Sequence, residues 1–386
     1  MIYFDNAATT FCSPTVAEEL SCFFKTPHGN PSGAHHLAFR SSVLIKKARE
    51  FFSSYFKVKP EQIIFTSSGT EANNLALSGL LQKEVPQKRK IILTTPIEHS
   101  SVLRTLEAWG KRGFELQFLK INQEGFVDLQ DLVQKLSSSV CLVSIMAVNN
   151  EIGTIQPIEK IGCLLRKSGF AIPFHVDAVQ AFGKIPLEFE SWGIHFLTIS
   201  SHKIHGPIGA GALIWDGKIA LEPLLFGGGQ EHGLRSGTES VGMIYGFHLA
   251  AKEILQDQKK QYEIVLALRQ KFIEGIQTLP FDIKINTPVR VERLASSPYI
   301  LNLSFRGCES EVLLRMLEEE GIFTSPGASC NAKKRKPSHV LKSIGCSDAD
   351  IFSALRFSFS PYTQEEDVNE VLRILPSVLK RLQAYQ

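Results

Sequence analysis

The stretch Ser200-Ser201-His202-Lys203 places one lysine directly after an apolar, β-branched run and beside two hydrogen-bonding side chains. A lysine at a strand end can lose its proton and form a Schiff base with an aldehyde cofactor. Such a cofactor also needs a wall for its phosphate and a carboxylate for its ring nitrogen. His175-Val176-Asp177-Ala178 offers that carboxylate at the end of another expected strand, 26 positions upstream of Lys203. That spacing leaves room for one crossover unit, so neighbouring parallel strands can bring Asp177 and Lys203 to one crevice at their carboxyl ends. The alternatives are a solvated lysine and an aspartate that caps a helix.

Three further segments have side chains suited to chemistry. Ser68-Gly69-Thr70-Glu71 falls where an apolar strand gives way to a helical run over 72–81, so its free backbone N–H groups can bind phosphate; an ordinary helix cap fits the same residues. Ser325-Pro326-Gly327-Ala328-Ser329-Cys330 sets a thiol among small residues, ahead of Lys333-Lys334-Arg335-Lys336 and Pro337-Ser338-His339. This reads as an exposed, mobile loop in which the nearby cations favour thiolate, and Cys330 is the expected nucleophile. Arg356, in the apolar run Ala354-Leu355-Arg356-Phe357-Ser358, needs a partner, either a substrate carboxylate gripped by both arms or a carboxylate of the fold. His202 and His205 lack a third ligand at plausible spacing, and the glycines at 206, 209 and 211 lack the strand-to-helix order of a dinucleotide loop, so neither a metal nor a dinucleotide is expected.

The elements that must position these residues follow from the pattern. Short apolar runs at 63–66, 91–94, 114–118, 140–146, 173–176 and 196–200 alternate with helical periodicity, as in an α/β domain with a largely parallel sheet. Gly227-Gly228-Gly229-Gln230-Glu231 breaks that rhythm, and a polar helix over about 255–277 leads to a smaller α+β lobe. Strands are expected there at 298–305 and 354–358, with helices at 309–321 and at the end. In the last helix Val368, Val371, Leu372, Leu375, Leu379 and Leu382 form one stripe that should pack on a small sheet. The expected division is a large unit over 15–255 and a small one made of 1–14 and 256–386.

Composition excludes several classes. With 386 residues, 44% apolar and 21% charged, and a net charge of only +3, the chain is expected to be a globular enzyme and not a nucleic-acid binder. No run approaches the roughly 18 apolar residues of a membrane span, and Met1-Ile2-Tyr3-Phe4 lacks the basic and apolar regions of a leader, so a cytoplasmic location is expected. The seven cysteines are odd in number and scattered, which suits a reducing compartment better than a disulfide framework.

Ser200-Ser201-His202-Lys203-Ile204-His205-Gly206-Pro207 resembles the cofactor-lysine motif of class V aminotransferase-type enzymes, and of NifS/IscS-like cysteine desulfurases in particular. Tyr3-Phe4-Asp5-Asn6-Ala7-Ala8-Thr9-Thr10, Gly29-Asn30-Pro31-Ser32, Thr66-Ser67-Ser68-Gly69-Thr70-Glu71-Ala72-Asn73-Asn74, Val148-Asn149-Asn150-Glu151-Ile152-Gly153, His175 to Gln180 and Arg235-Ser236-Gly237-Thr238 agree with that family in order along almost the whole chain.

The resemblance implies the fold-type-I architecture of enzymes dependent on pyridoxal 5'-phosphate, with the cofactor as a Schiff base on Lys203. It implies phosphate contacts from Gly69, Thr70, Ser200, His202 and, across a homodimer interface, Thr238. Asp177 would hold the ring nitrogen, His99 would lie over the ring, and Gln180 and Asn150 would serve its phenolic-oxygen side and the substrate. Arg356 would grip the substrate carboxylate. The implied reaction takes sulfur from L-cysteine, leaving L-alanine and a persulfide on Cys330, which is passed to an acceptor or scaffold for iron–sulfur or thio-cofactor assembly. The family usually has Ser, Thr and Ala between the cysteine and Pro-Ser-His, so the basic run here departs from the pattern and leaves the acceptor open. Another class V enzyme, such as a selenocysteine lyase or an aminotransferase, and a catalytically silent assembly scaffold are the competing readings.

Overall fold

The computed structural model describes residues 1–84, 89–289, 295–326 and 336–384. Its centre is a seven-stranded sheet in the order Ile63–Thr66, Gly211–Trp215, Phe196–Ser200, Phe174–Asp177, Val140–Ser144, Ile91–Thr94, Glu115–Phe118. All neighbouring pairs are parallel except those of Gly211–Trp215, which runs against both of its neighbours. The largely parallel α/β architecture expected from the alternating runs is therefore present. Burial on both faces explains why these strands read as near-continuous apolar segments and not as alternating ones.

Helices cover the sheet through stripes spaced for an α-helix. In His36–Phe56, Ala38, Ser41, Ile45, Ala48, Phe52 and Phe56 face inward. Phe52 packs 4.7 Å from Phe247 of the Val241–Gln256 helix and 6.0 Å from Phe65, centroid to centroid. Burying each such ring stabilises the fold by about 2–3 kcal/mol.

A second, four-stranded antiparallel sheet runs Ser325–Pro326, Ala354–Ser358, Ile300–Phe305, Ile283–Ile285. The final helix, Glu365–Ala384, buries Val368, Val371, Leu375, Leu379 and Leu382 as its stripe requires, in one apolar cluster with Leu301, Leu303 and Phe357. Its main packing partners are the helices Gln258–Gln277 and Ser310–Glu319. The polar helix expected over 255–277 is in fact the second of two. Asp257, at φ −119° and ψ 22°, leaves helical geometry and separates Val241–Gln256 from Gln258–Gln277.

The N-terminal segment ties the two sheets together. Ile2–Tyr3 pairs in parallel with Ile322–Phe323, and Asp5 bridges to Ser358. Phe4 is fully buried, 5.0 Å from the Phe359 ring. The chain then crosses to the large sheet, where Thr10 N–H donates to the His202 carbonyl at 2.9 Å and Ser13 N–H to that of His205 at 2.9 Å. Among the described residues no helix is long and apolar enough to cross a membrane.

Candidate active site

Five strands of the large sheet end at the same edge, and the turns that follow them converge there. Thr66 leads into Ser68–Thr70, Thr94 into His99, Ser144 into Asn150, and Phe174–Asp177 and Phe196–Ser200 supply Asp177 and Lys203. The turns enclose a cavity of about 390 Å³, of the size usual for a small-molecule site. Gly69, Thr70, His99, Asn150, Asp177, Gln180, Ser200, His202, Lys203 and Arg356 all line it. Thr238 does not; it is exposed in the loop after the Glu231–Gly233 turn. Cys330 and the basic residues 333–335 lie outside the described residues.

Glycine makes the phosphate-sized end of the cavity possible. A Cβ on Gly69 would come within 2.7 Å of Val179 Cγ2, and one on Gly211 within 2.6 Å of the Ser68 carbonyl carbon, so a side chain at either would wedge the turn open. The helix Gly69–Glu84 starts there with first-turn N–H groups that have no intrahelical acceptor, and Ser68 Oγ takes only that of Glu71. Ser200 Oγ is buried beside them without a partner among the described residues.

Lys203 Nζ is held by two carbonyls of the crossing N-terminal segment, Ala7 O at 2.6 Å and Ala8 O at 2.5 Å. Burial and the Arg356 charge, partly offset by Asp5 and Asp177, bring its pKa down to about 8. His202 donates or accepts at Thr9 Oγ1, 3.2 Å away, and is pushed down to about 4 by burial and by Lys203 and Lys184, so it is neutral at physiological pH. Asp177 is buried. Its Oδ2 accepts from Asn73 Nδ2 at 2.8 Å and its Oδ1 from Val179 N–H at 3.0 Å, so it caps the following turn and faces the cavity at once.

His99 is the N-cap of the helix Ser100–Gly110. Its Nδ1 accepts the Ser101 N–H at 3.2 Å, which leaves the proton of the neutral ring on Nε2. The ring is open to the cleft yet surrounded by protein, and the resulting desolvation lowers its pKa against the pull of Asp177. Behind it, Glu98 is fully buried, with Thr95 Oγ1 and Met146 N–H donating to Oε1 and no partner among the described residues for Oε2.

Burial raises Glu98 to about 8, so the folded protein keeps it protonated where the unfolded chain ionises it. Stability therefore falls as pH rises from the ordinary carboxylate range toward 8. Glu98→Gln is expected to flatten that slope by up to about 1.4 kcal/mol per pH unit, read by denaturant unfolding at pH 6, 7 and 8; an unchanged slope would show that Glu98 is ionised in the fold.

Arg356 has the second of its expected partners, a carboxylate of the fold. Its Nη2 pairs with Asp5 Oδ1 at 2.9 Å and its Nη1 donates to the Asn150 carbonyl at 2.8 Å, while buried Nε has no partner among the described residues. Asn150 is held in place by Asn149, whose Oδ1 accepts the N–H groups of Glu151 and Ile152, both at 2.9 Å. The unmet donors at Ser200 Oγ and Arg356 Nε suit two anionic groups, a phosphate at one end and a carboxylate at the other. With Asp177 and Lys203 between them, the residues present fit a phosphorylated pyridine aldehyde.

The sequence reading gave no role to Asn73, to the Ala7 and Ala8 carbonyls, or to Lys184. Asn73 sits one turn after Gly69 on the same helix and Lys184 four residues after Gln180, the only signals that could have marked them.

The Aminotransferase class-V family model matches residues 2–371. The cysteine desulfurase IscS of Clostridium botulinum (strain Kyoto / Type A2) is 37% identical over 380 residues, covering 98% of this chain and 94% of its own. A solved NifS-like protein superposes with a TM-score of 0.92 at 34% identity, covering 99% of this chain and 100% of its own. SspA, solved in complex with cysteine, superposes with a TM-score of 0.81 at 32% identity over 94% of this chain and 100% of its own. The chain thus belongs to the class-V aminotransferase family of pyridoxal-phosphate-dependent enzymes, among its IscS- and NifS-like cysteine desulfurases.

Proposed function

We infer that this protein is a cysteine desulfurase that takes sulfur from L-cysteine, releases L-alanine and retains the sulfur as a persulfide on Cys330. The observation that carries this reading is the convergence of Lys203, Asp177, His99, the Gly69–Thr70 turn and Arg356 on one cavity. When bound, pyridoxal 5'-phosphate supplies an electron sink for the substrate's Cα.

The chain's own residues do the rest. Lys203 Nζ would hold the cofactor through its aldehyde carbon and would move the proton at the substrate's Cα. Gly69, Thr70, Ser200 and His202 hold the phosphate, joined by Thr238 of a second copy in a homodimer. Asp177 would hold the proton on the ring nitrogen, His99 would flank the ring, and Gln180 and Asn150 would serve the phenolic-oxygen side. Arg356 orients the substrate carboxylate. The Cys330 thiolate attacks the substrate sulfur, so the C–S bond breaks, an S–S bond forms, and the substrate carbon leaves as alanine after taking up a proton. The persulfide then passes to a sulfur-acceptor or scaffold protein for iron–sulfur or thio-cofactor assembly. In this reading residues 15–255 form the large unit, 1–14 with 256–386 the small one. Among the described residues, Cys12, Cys22, Cys141, Cys163, Cys308 and Cys346 form no disulfide, which accords with a reducing cytoplasm.

The test is a single turnover of the reconstituted protein with L-cysteine, measuring alanine and protein-bound persulfide together. One equivalent of each is expected. Alanine without persulfide would mean a lyase that discharges its sulfur directly, and neither product would overturn the reading. Arg356→Met is expected to raise KM for cysteine about thirty- to a hundredfold, the value of a charge-assisted carboxylate contact, with a smaller change in kcat. An unchanged KM would confine Arg356 to its pairing with Asp5.

A further inference from the structure

Gln180 is buried, and both ends of its amide are engaged by groups that distinguish oxygen from nitrogen. Its Nε2 donates to the Ala7 carbonyl at 2.8 Å, an acceptor only. Its Oε1 accepts from Lys184 Nζ at 3.0 Å. Lys184 lies four residues further on in the same run of turns, buried, with Nζ 5.5 Å from the centroid of the Tyr299 ring. Gln180 lines the cavity but Lys184 does not, so the lysine's hydrogen bond reaches the site through the amide, besides the charge it exerts on His202. Ala7 O also accepts from Lys203 Nζ at 2.6 Å, which makes Lys184, Gln180, the Ala7 carbonyl and Lys203 one continuous hydrogen-bonded chain.

We propose that Lys184 is a positioning residue: by donating to Gln180 Oε1 it fixes the amide so that the second Nε2–H is presented to the cavity, toward the phenolic oxygen of the bound cofactor. Without that donor the amide's orientation is held by the Ala7 carbonyl alone. A flipped Gln180 would turn its oxygen both to the Ala7 carbonyl and to the phenolic oxygen, and acceptor would face acceptor. Burial, with Lys203 and Arg356 nearby, brings Lys184 down to about 7, so below neutrality it is mainly the ammonium, which can only donate, and above it the amine, which can also accept. This inference rests on the proposed function, which supplies the cofactor.

The experiment is a double-mutant cycle with Lys184→Met and Gln180→Ala, each reconstituted with pyridoxal 5'-phosphate and checked for folding by circular dichroism. The readout is the pH midpoint of the visible absorption band. The second readout, on cofactor-free protein, is the pH midpoint of acetic-anhydride labelling at Lys203, followed by mass spectrometry. Losing a donor to the phenolic oxygen should raise the midpoint of the visible band by about one unit in either single variant. The double variant should show no further rise.

Additive shifts would mean that Lys184 acts by its charge and not through Gln180, and would overturn the proposal; so would an unmoved midpoint in Lys184→Met. On the cofactor-free protein, a change in Lys203 labelling in Lys184→Met that persists in the Gln180→Ala background would point to the same charge effect. If Lys184→Met does not fold, Lys184→Arg, which keeps a donor, must retain the wild-type midpoint, and a shift there overturns the proposal. A wild-type protein without any visible band would instead defeat the proposed function on which this inference rests.

Discussion

Lys203→Ala is expected to abolish turnover of L-cysteine, by about ten-thousand-fold or more, and to leave reconstituted protein without the visible band of covalently held cofactor. The expectation rests on where Nζ sits. With a pKa near 8, about one-fifth of Lys203 is free amine at pH 7.4, against about one in a thousand for an ordinary lysine. Burial and the Arg356 guanidinium produce that shift, while the Ala7 and Ala8 carbonyls aim the amine into the cavity. Labelling of cofactor-free protein should therefore rise through a midpoint near pH 8. Arg356→Met should move the midpoint upward, because a cation that disfavours the charged amine is removed. Activity surviving in Lys203→Ala would require another amine, and Lys184 is the buried lysine nearest at hand in this hydrogen-bonded chain.

Cys330→Ala should behave differently, keeping the visible band and the fold while losing protein-bound persulfide and at least about a thousandfold of desulfurase activity, ~4 kcal/mol of barrier. The residues flanking the thiol segment make this separation credible. On one side Ser325–Pro326 pairs with Arg356 and Leu355 of the strand that carries the guanidinium. On the other, Ser338 caps the helix His339–Ser343 and donates to the half-buried carboxylate of Glu151, the neighbour of Asn150. Both flanks are thus tied to residues beside the cavity. Binding and sulfur removal should be separable by mutation. Alanine formed at the wild-type rate in Cys330→Ala would show that another thiol, or no thiol, receives the sulfur.

Much of this was legible before any coordinates. Strands such as Ile63–Thr66, Ile91–Thr94 and Phe196–Ser200 are buried on both faces, and a strand without a wet face must be apolar throughout, so it stands out as a short unbroken run between polar turns. Lys203 and Asp177 stood out for the related reason that charged residues at the ends of such runs need a function or a partner. The helix break at Asp257 was missed because a single aspartate inside an otherwise periodic segment costs a helix less than about 1 kcal/mol, too weak a signal beside two long amphipathic patterns.

The sequence by itself marked the central strands and singled out Lys203, Asp177 and Cys330 as candidates, because apolar runs, the charged residues at their ends and a thiol among small residues are local properties of residue type and periodicity. Only the tertiary structure decided how they are tuned. The depressed pKa of Lys203 arises from burial and from Arg356, 153 positions after it, against the opposing pull of Asp5, 198 before it; Arg356 is divided between Asp5 and Asn150; and the amide of Gln180 is set between Ala7 and Lys184. Electrostatic and hydrogen-bonding effects act over ångströms of space and not over intervals of sequence, so they become readable only once the N-terminal segment has crossed from one sheet to the other and closed over the lysine.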